Sequence, residues 1–289
     1  MERNWTRRLA GGLMVLLLAL AAPAAAQTRA GLMKELEASM LVKGRIDVAA
    51  DGRIAGFSIQ DPDQVDPLAL RHVMRHVPNW TVHPATVDGV PVASSSPFSL
   101  RLVARRIDDR NYTISILGVS IEEDLPVEAR LRSDRMQPPR YPVDLLRAGG
   151  SGIVYVLLRI DASGRVVDTH VEQVDLTVLA RPRQAEQVRK RLADATLEAA
   201  REWTYHIPAT GPHAGKPDYV LRVPVQFVVN DGTAMTYGQW TSRVPGERRL
   251  APWARAGDDA GEARMAGIPG RPMLDGSGLR LSSALEPGS

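Results

Sequence analysis

Two stretches of the chain share a phrase, "NWTVHPATVDGVPV" at residues 79–92 and "EWTYHIPATGPHAGKPDYVLRVPVQF" at residues 202–227. Each has Trp-Thr, then His, then Pro-Ala-Thr, then a strand pattern containing proline. Such a recurrence constrains the fold more than any composition value, because it reads as one structural unit used twice. With 289 residues and 44% hydrophobic side chains, the chain has room for two such units, at roughly 100–200 residues per domain.

The second copy is the plainer one. In "GIVYVLLRIDASGRVVDTHVE", Val154, Val156, Leu158 and Ile160 share one face, and Asp161 to Gly164 form a turn before Val167, Thr169 and Val171. This is a β-hairpin. Val188, Leu192, Ala195, Ala199 and Trp203 then recur at helical spacing with charges opposite, an amphipathic helix. A closing strand follows, in which Leu221, Val223, Val225, Phe227 and Val229 alternate with Arg222, Pro224, Gln226 and Val228. The alternation gives one buried face and one exposed face.

The first copy repeats the order. Ile46, Val48 and Ala50, an Asp51-Gly52 turn, and Ala55, Phe57 and Ile59 form a hairpin. Asp66 and Pro67 are an N-cap and a first helical residue, opening a helix through Leu70, Val73, Met74 and Val77 to Trp80; Phe98, Leu100 and Leu102 mark the closing strand. Short helices are expected ahead of each hairpin, in "GLMKELEASM" and "PVDLLRA". The fold class is α+β, two small modules, each a three- or four-stranded antiparallel sheet with a covering helix. Trp80 and Trp203, at the ends of the helices, are core fillers.

Residues 1–26, with Arg3, Arg7 and Arg8 ahead of an apolar run and Ala24-Ala25-Ala26 before Gln27, read as a cleaved signal peptide. The apolar run from Leu13 to Ala22 is short of the ~20 residues needed to span a bilayer. The expected location is periplasmic, or the inner membrane if the segment is kept as an anchor. The absence of cysteine excludes disulfides and lipid attachment after export. The net charge of +3 falls to +1 once Arg3, Arg7, Arg8 and Glu2 are removed, so charge points to no nucleic-acid partner.

The stretch from Tyr141-Pro142 through Gly164-Arg165-Val166, the Ala-rich helix ending in Trp203 and the closing Val-Pro-Val-x-Phe of residues 223–227 resembles the C-terminal domain of TonB-type proteins. The resemblance covers residues 138–229, and residues 41–106 resemble the same domain more loosely, without the Tyr-Pro pair. It implies a periplasmic interaction module that adds its outer strand to a short peptide of an outer-membrane transporter or another envelope protein. A genuine energy transducer and a self-associating structural protein, such as a homodimer, are the alternatives. Leu13 to Ala22 holds neither Ser nor His and no Pro-rich spacer precedes residue 41, departures from the transducer pattern.

Pro224 removes one ladder donor, which places strand 220–229 at the sheet border. Leu221, Arg222, Val223, Pro224, Val225 and Gln226, with Tyr141, are the expected partner-binding residues, Arg222 and Gln226 selecting side chains from the exposed face. The equivalent edge of the first copy, around Arg101, is expected to be covered by "YTISILGVSI" at residues 112–121. The domains are then residues 27–121, a linker at 122–137, a second module at 138–229, and a Gly- and Pro-rich tail at 230–289 expected to be disordered. Trp240 and Trp253 in that tail read either as docking points or as packing back on the second module.

No catalytic signature is present, and no cofactor is expected. His72 and His76, with His83, have partial ligand spacing but lack the Glu of a zinc-hydrolase helix, so no metal site is assigned and the pair reads as a solvated helix face. Asp108-Asp109 and Glu122-Glu123 read as solvated charge in turn and linker.

Overall fold

The computed structural model describes residues 36–87, 89–108, 111–229, 236–253, 267–275, 277–283 and 285; the expected signal peptide lies outside them. Among the described residues no helix is long and apolar enough to cross a membrane. The strands are β1 (Glu37–Val48), β2 (Ile54–Ile59), β3 (Ala85–Val87), β4 (Val90–Val92), β5 (Ser94–Arg106), β6 (Tyr112–Ile121), β7 (Arg132–Arg135), β8 (Gly152–Asp161), β9 (Val166–Leu176), β10 (Thr204–His206), β11 (Asp218–Phe227), β12 (Thr241–Arg243) and β13 (Met273–Leu274). Among the described residues three α-helices accompany them, α1 (Pro67–His76), α2 (Val143–Ala148) and α3 (Pro182–Ala200).

The fold is mixed α+β with antiparallel sheets. In the first sheet β1 pairs with β5 along its whole length and β5 with β6, while the other edge of β1 is shared by β2 and β12. In the second the order is β13-β11-β8-β9. Each half thus has a hairpin, a covering helix and a closing strand in the same order. The Asp66 carboxylate accepts from the amides of Leu68 and Ala69, at 2.9 and 3.1 Å, and starts α1 as expected. On α3 the buried stripe is Ala185, Val188, Leu192, Thr196 and Ala200. Thr196 is tolerated there because its hydroxyl donates to the Leu192 carbonyl.

Each helix closes its own core. Met40, Val42, Ile46, Leu100, Leu102 and Trp80 fill the first; Val154, Val156, Leu158, Leu192, Val223 and Trp203 fill the second. Trp203 is 2% exposed and its indole N–H donates to the Gln137 carbonyl at 2.8 Å. Burying a large side chain contributes about 1.5–3 kcal/mol, so each Trp is a principal stabiliser of its module.

Three expectations are corrected. The described part of "GLMKELEASM" is not helical: β1 begins at Glu37, because Met40 and Val42 alternate into the first core, a period of two that fits strand burial. The segment 122–137 is more than a linker, since it carries β7, which pairs with β10. The described tail is not disordered. β12 pairs with β1, β13 pairs with β11, Val244 bridges Leu176, Leu279 bridges Ile121 and Leu281 bridges Val82. Trp240 packs on the first core, and Trp253 lies 5.9 Å from the guanidinium of Arg159 in the second sheet.

Candidate functional site

The closing strand β11 forms an unbroken antiparallel ladder with β8, from Asp218 opposite Asp161 to Phe227 opposite Gly152. Its other side carries the carbonyls of Val220 and Pro224, which accept from the tail amides of Asp275 and Gly270 at 2.7 and 2.8 Å. Pro224 therefore has its missing N–H on the outer side, where the main ladder loses nothing. The expected open border is corrected here: Leu221 is opposite Leu274 and Arg222 opposite Met273, so β13 occupies that edge. It does so over two residues of a ten-residue strand.

The face expected to be exposed is also covered. Arg222 is only 4% exposed and forks onto Glu172 of β9, with Nη2 to Oε1 at 2.8 Å and Nε bonded to Oε2. Asp275 lies 3.7 Å away on its other side. Pro224 is buried and Gln226 half-buried. The physical reason is that the second sheet has neighbours on both faces. Opposite α3, Tyr155 lies within electrostatic reach of Arg101 on β5 and Arg243 on β12, both from the first sheet. Arg243 binds Asp175 at 2.7 Å and Glu37 at 2.6 Å. Burial opposes its charge, but Asp175, Tyr155 and Glu37 outweigh that and raise its pKa. Burial also raises the Tyr155 hydroxyl. Charges removed from water in this way need such partners to persist.

Tyr141 stands apart from the middle of β11. It is half-buried, donates to the Gly150 carbonyl and packs edge-on against Phe227, with ring centroids 5.7 Å apart. Burial raises its pKa. Leu221, Val223 and Val225 face the second core. What the strand can offer a partner is thus its backbone, with Arg222 beside it.

The tail, Glu172 and Asp275 were missed by sequence reasoning. A signal existed, since both closing strands carry a lone arginine in a matching apolar setting, "SLRLV" around Arg101 and "VLRVP" around Arg222. Arg101 is fully buried and donates to the Gly267 carbonyl at 3.2 Å. A cavity of about 560 Å³ adjoins this edge, with Ile121, Leu131, His213, Leu221, Met273 and Leu279 in its wall. His213 sits there between Glu123, at 2.8 Å, and Lys216, at 3.2 Å. Glu122 pairs with Arg271 at 2.7 Å, so this acidic pair belongs to the clasp between linker and tail rather than to solvent.

His72 and His76 stack with ring centroids 4.3 Å apart, and among the described residues no group of three or more His, Asp or Glu is placed to hold a metal. The backbone amide of His83 donates to the Arg280 carbonyl. The Asp108 carboxylate accepts from the backbone and side-chain amides of Asn111.

These features define a class: an α+β protein of hairpin–helix–strand modules, consistent with TonB C-terminal-like domains. No family model matches the chain. Two curated proteins called Protein TonB, from Xanthomonas campestris pv. campestris strains B100 and ATCC 33913, are each 31% identical to it over 107 residues, 37% of this chain. The matched stretch is 42% of those relatives, so the chain spans less than half of their length. The similarity supports a TonB-like domain within the chain.

Proposed function

We propose that this chain is an exported, periplasmic protein-interaction protein of the TonB type. It holds a protein or peptide partner, such as an outer-membrane transporter or another envelope protein, by adding a partner strand to the outer edge of β11. The second module is the TonB-like domain and the first is its divergent copy. The observation that carries this reading is the state of that edge: ten residues fully paired with β8 on one side and, on the other, bonded to the tail only between Val220 and Pro224. Main-chain groups left in this condition are the usual seat of strand addition, where backbone hydrogen bonds supply affinity and neighbouring side chains supply selectivity. The similarity to the two TonB proteins supports the same assignment. The role is binding rather than catalysis.

The test is crosslinking in the periplasm, with a photoreactive residue at Gln226 beside the edge of β11 and, as control, at Thr113 on β6. An envelope protein captured at Gln226 and not at Thr113, whose binding protects the amides of residues 218–227, is the expected result. Capture at Thr113 alone, or protection confined to the helices, would show that strand addition at β11 is the wrong mechanism.

A further inference from the structure

Resting on the strand-addition reading, we propose that residues 267–275 stand in the partner's place and display its chemistry. The partner segment is extended, runs antiparallel to β11, carries apolar side chains where Met273 and Leu274 lie, and has a carboxylate where Asp275 lies.

Three observations support this. The tail bonds along the outer side of β11, with the Gly270 amide on the Pro224 carbonyl and the Asp275 amide on the Val220 carbonyl, and Met273 and Leu274 between them pair in antiparallel register with Arg222 and Leu221, as an added antiparallel strand does. Asp275 comes within 3.7 Å of Arg222, whose other side is already bonded to Glu172. A guanidinium has five donors in a planar fork, so the edge is chemically prepared for a second carboxylate from outside the sheet. Finally, Met273 and Leu274 line the 560 Å³ cavity together with Leu221, Leu131 and Ile121. Apolar side chains of an incoming segment would enter the same space.

The seat is narrow and short. A Cβ on Gly267 would lie 2.7 Å from the Pro224 ring, so only the smallest residue passes there. Beyond β13 the chain turns to the first module, where Gly278, at φ +83°, brings its backbone so close to Ile121 that a Cβ would lie 2.2 Å from that carbonyl oxygen. Tethering gives a segment an effective concentration on the order of mM. The tail thus sets a threshold that a partner strand must exceed, and rejects segments without the apolar–acidic pattern.

The probe is a fluorescent peptide with the sequence of residues 267–280, titrated into the full chain and into full-chain variants Met273→Pro and Gly278→Val. Met273→Pro removes the amide that ladder alternation sets against Arg222, and Gly278→Val loosens the clasp on the first module without touching β13. Both variants are expected to bind the probe at least tenfold more tightly than the wild type. A probe carrying D275K is expected to bind at least tenfold more weakly than the parent probe. Equal binding by wild type and both variants, or undiminished binding of the D275K probe, would overturn the proposal. Failure of the probe while a captured partner still protects residues 218–227 overturns this inference alone. A partner that protects other residues overturns the reading beneath it.

Discussion

The two modules are built from the same elements and differ in how their closing strands end. β5 is followed in sequence by β6, which pairs with it from Phe98 opposite Ile121 to Arg106 opposite Tyr112. β11 is closed by β13, two residues that arrive from beyond residue 270. A hairpin partner is local in sequence and forms many bonds, so its closure entropy is recovered many times over. A short strand at the end of a long connection recovers little for the loop it closes. A closing strand can therefore be sealed permanently in one module and conditionally in the other.

The largest effect that can break this comparison comes from reversing Arg222. R222E would put a third carboxylate beside Glu172 and Asp275 in a buried site, at a cost on the order of 3–5 kcal/mol, the range for breaking a buried ion pair. Denaturant unfolding of the full chain measures it. A cost within about 0.5 kcal/mol, as for a surface residue, would show that the face is open to solvent. Trp203→Ala and Trp80→Ala follow, each expected to cost about 3–5 kcal/mol. Similar losses in melting experiments support two equally closed cores, and a harmless Trp80→Ala would demote the first module. Asp66→Ala removes the cap of α1 and should cost about 1 kcal/mol, read as a lower denaturation midpoint.

The smallest effect is specific to the first module. Burial, then His76 and Arg75, hold the His72 pKa below its ordinary 6.5. The unfolded chain therefore binds the proton first, and stability present above pH 6.5 is lost as the pH falls through and below that value. Half-exposure of the ring keeps the effect small. His72→Gln should flatten the pH dependence of unfolding between neutral and mildly acidic solution, and an unchanged slope would contradict the assignment.

Much of the fold was legible because local rules agree with one another there. Asp66-Pro67 starts a helix wherever it leads an apolar face, the Asp51-Gly52 and Ser163-Gly164 turns define hairpins, and the alternation from Leu221 to Phe227 reads as strand. Pro224 marks the side of β11 that faces away from the ladder with β8, but gives no sign that β13 pairs there. The face around Arg222 was illegible because alternation says that one side is apolar and cannot say whether another sheet covers the polar side. Arg222 and Arg243 are buried only because Glu172, Asp275, Asp175 and Glu37 reach them from distant segments. The tail was misread for a related reason. Gly- and Pro-rich segments carry no periodicity of their own, and "RPMLD" forms a strand only where β11 offers it hydrogen bonds.

The central claim is that the edge of β11 exchanges occupants while that of β5 does not. Site-resolved amide hydrogen exchange on the full chain, alone and with the crosslink-identified partner, tests it most directly. In the free protein the amides of Gly270 and Asp275 should exchange at least tenfold faster than those of β6. With the partner bound, those tail amides should lose their protection while the edge of β11 stays or becomes protected, and β6 should not change. Tail amides that exchange as slowly as β6 and keep their protection in the complex would contradict the account.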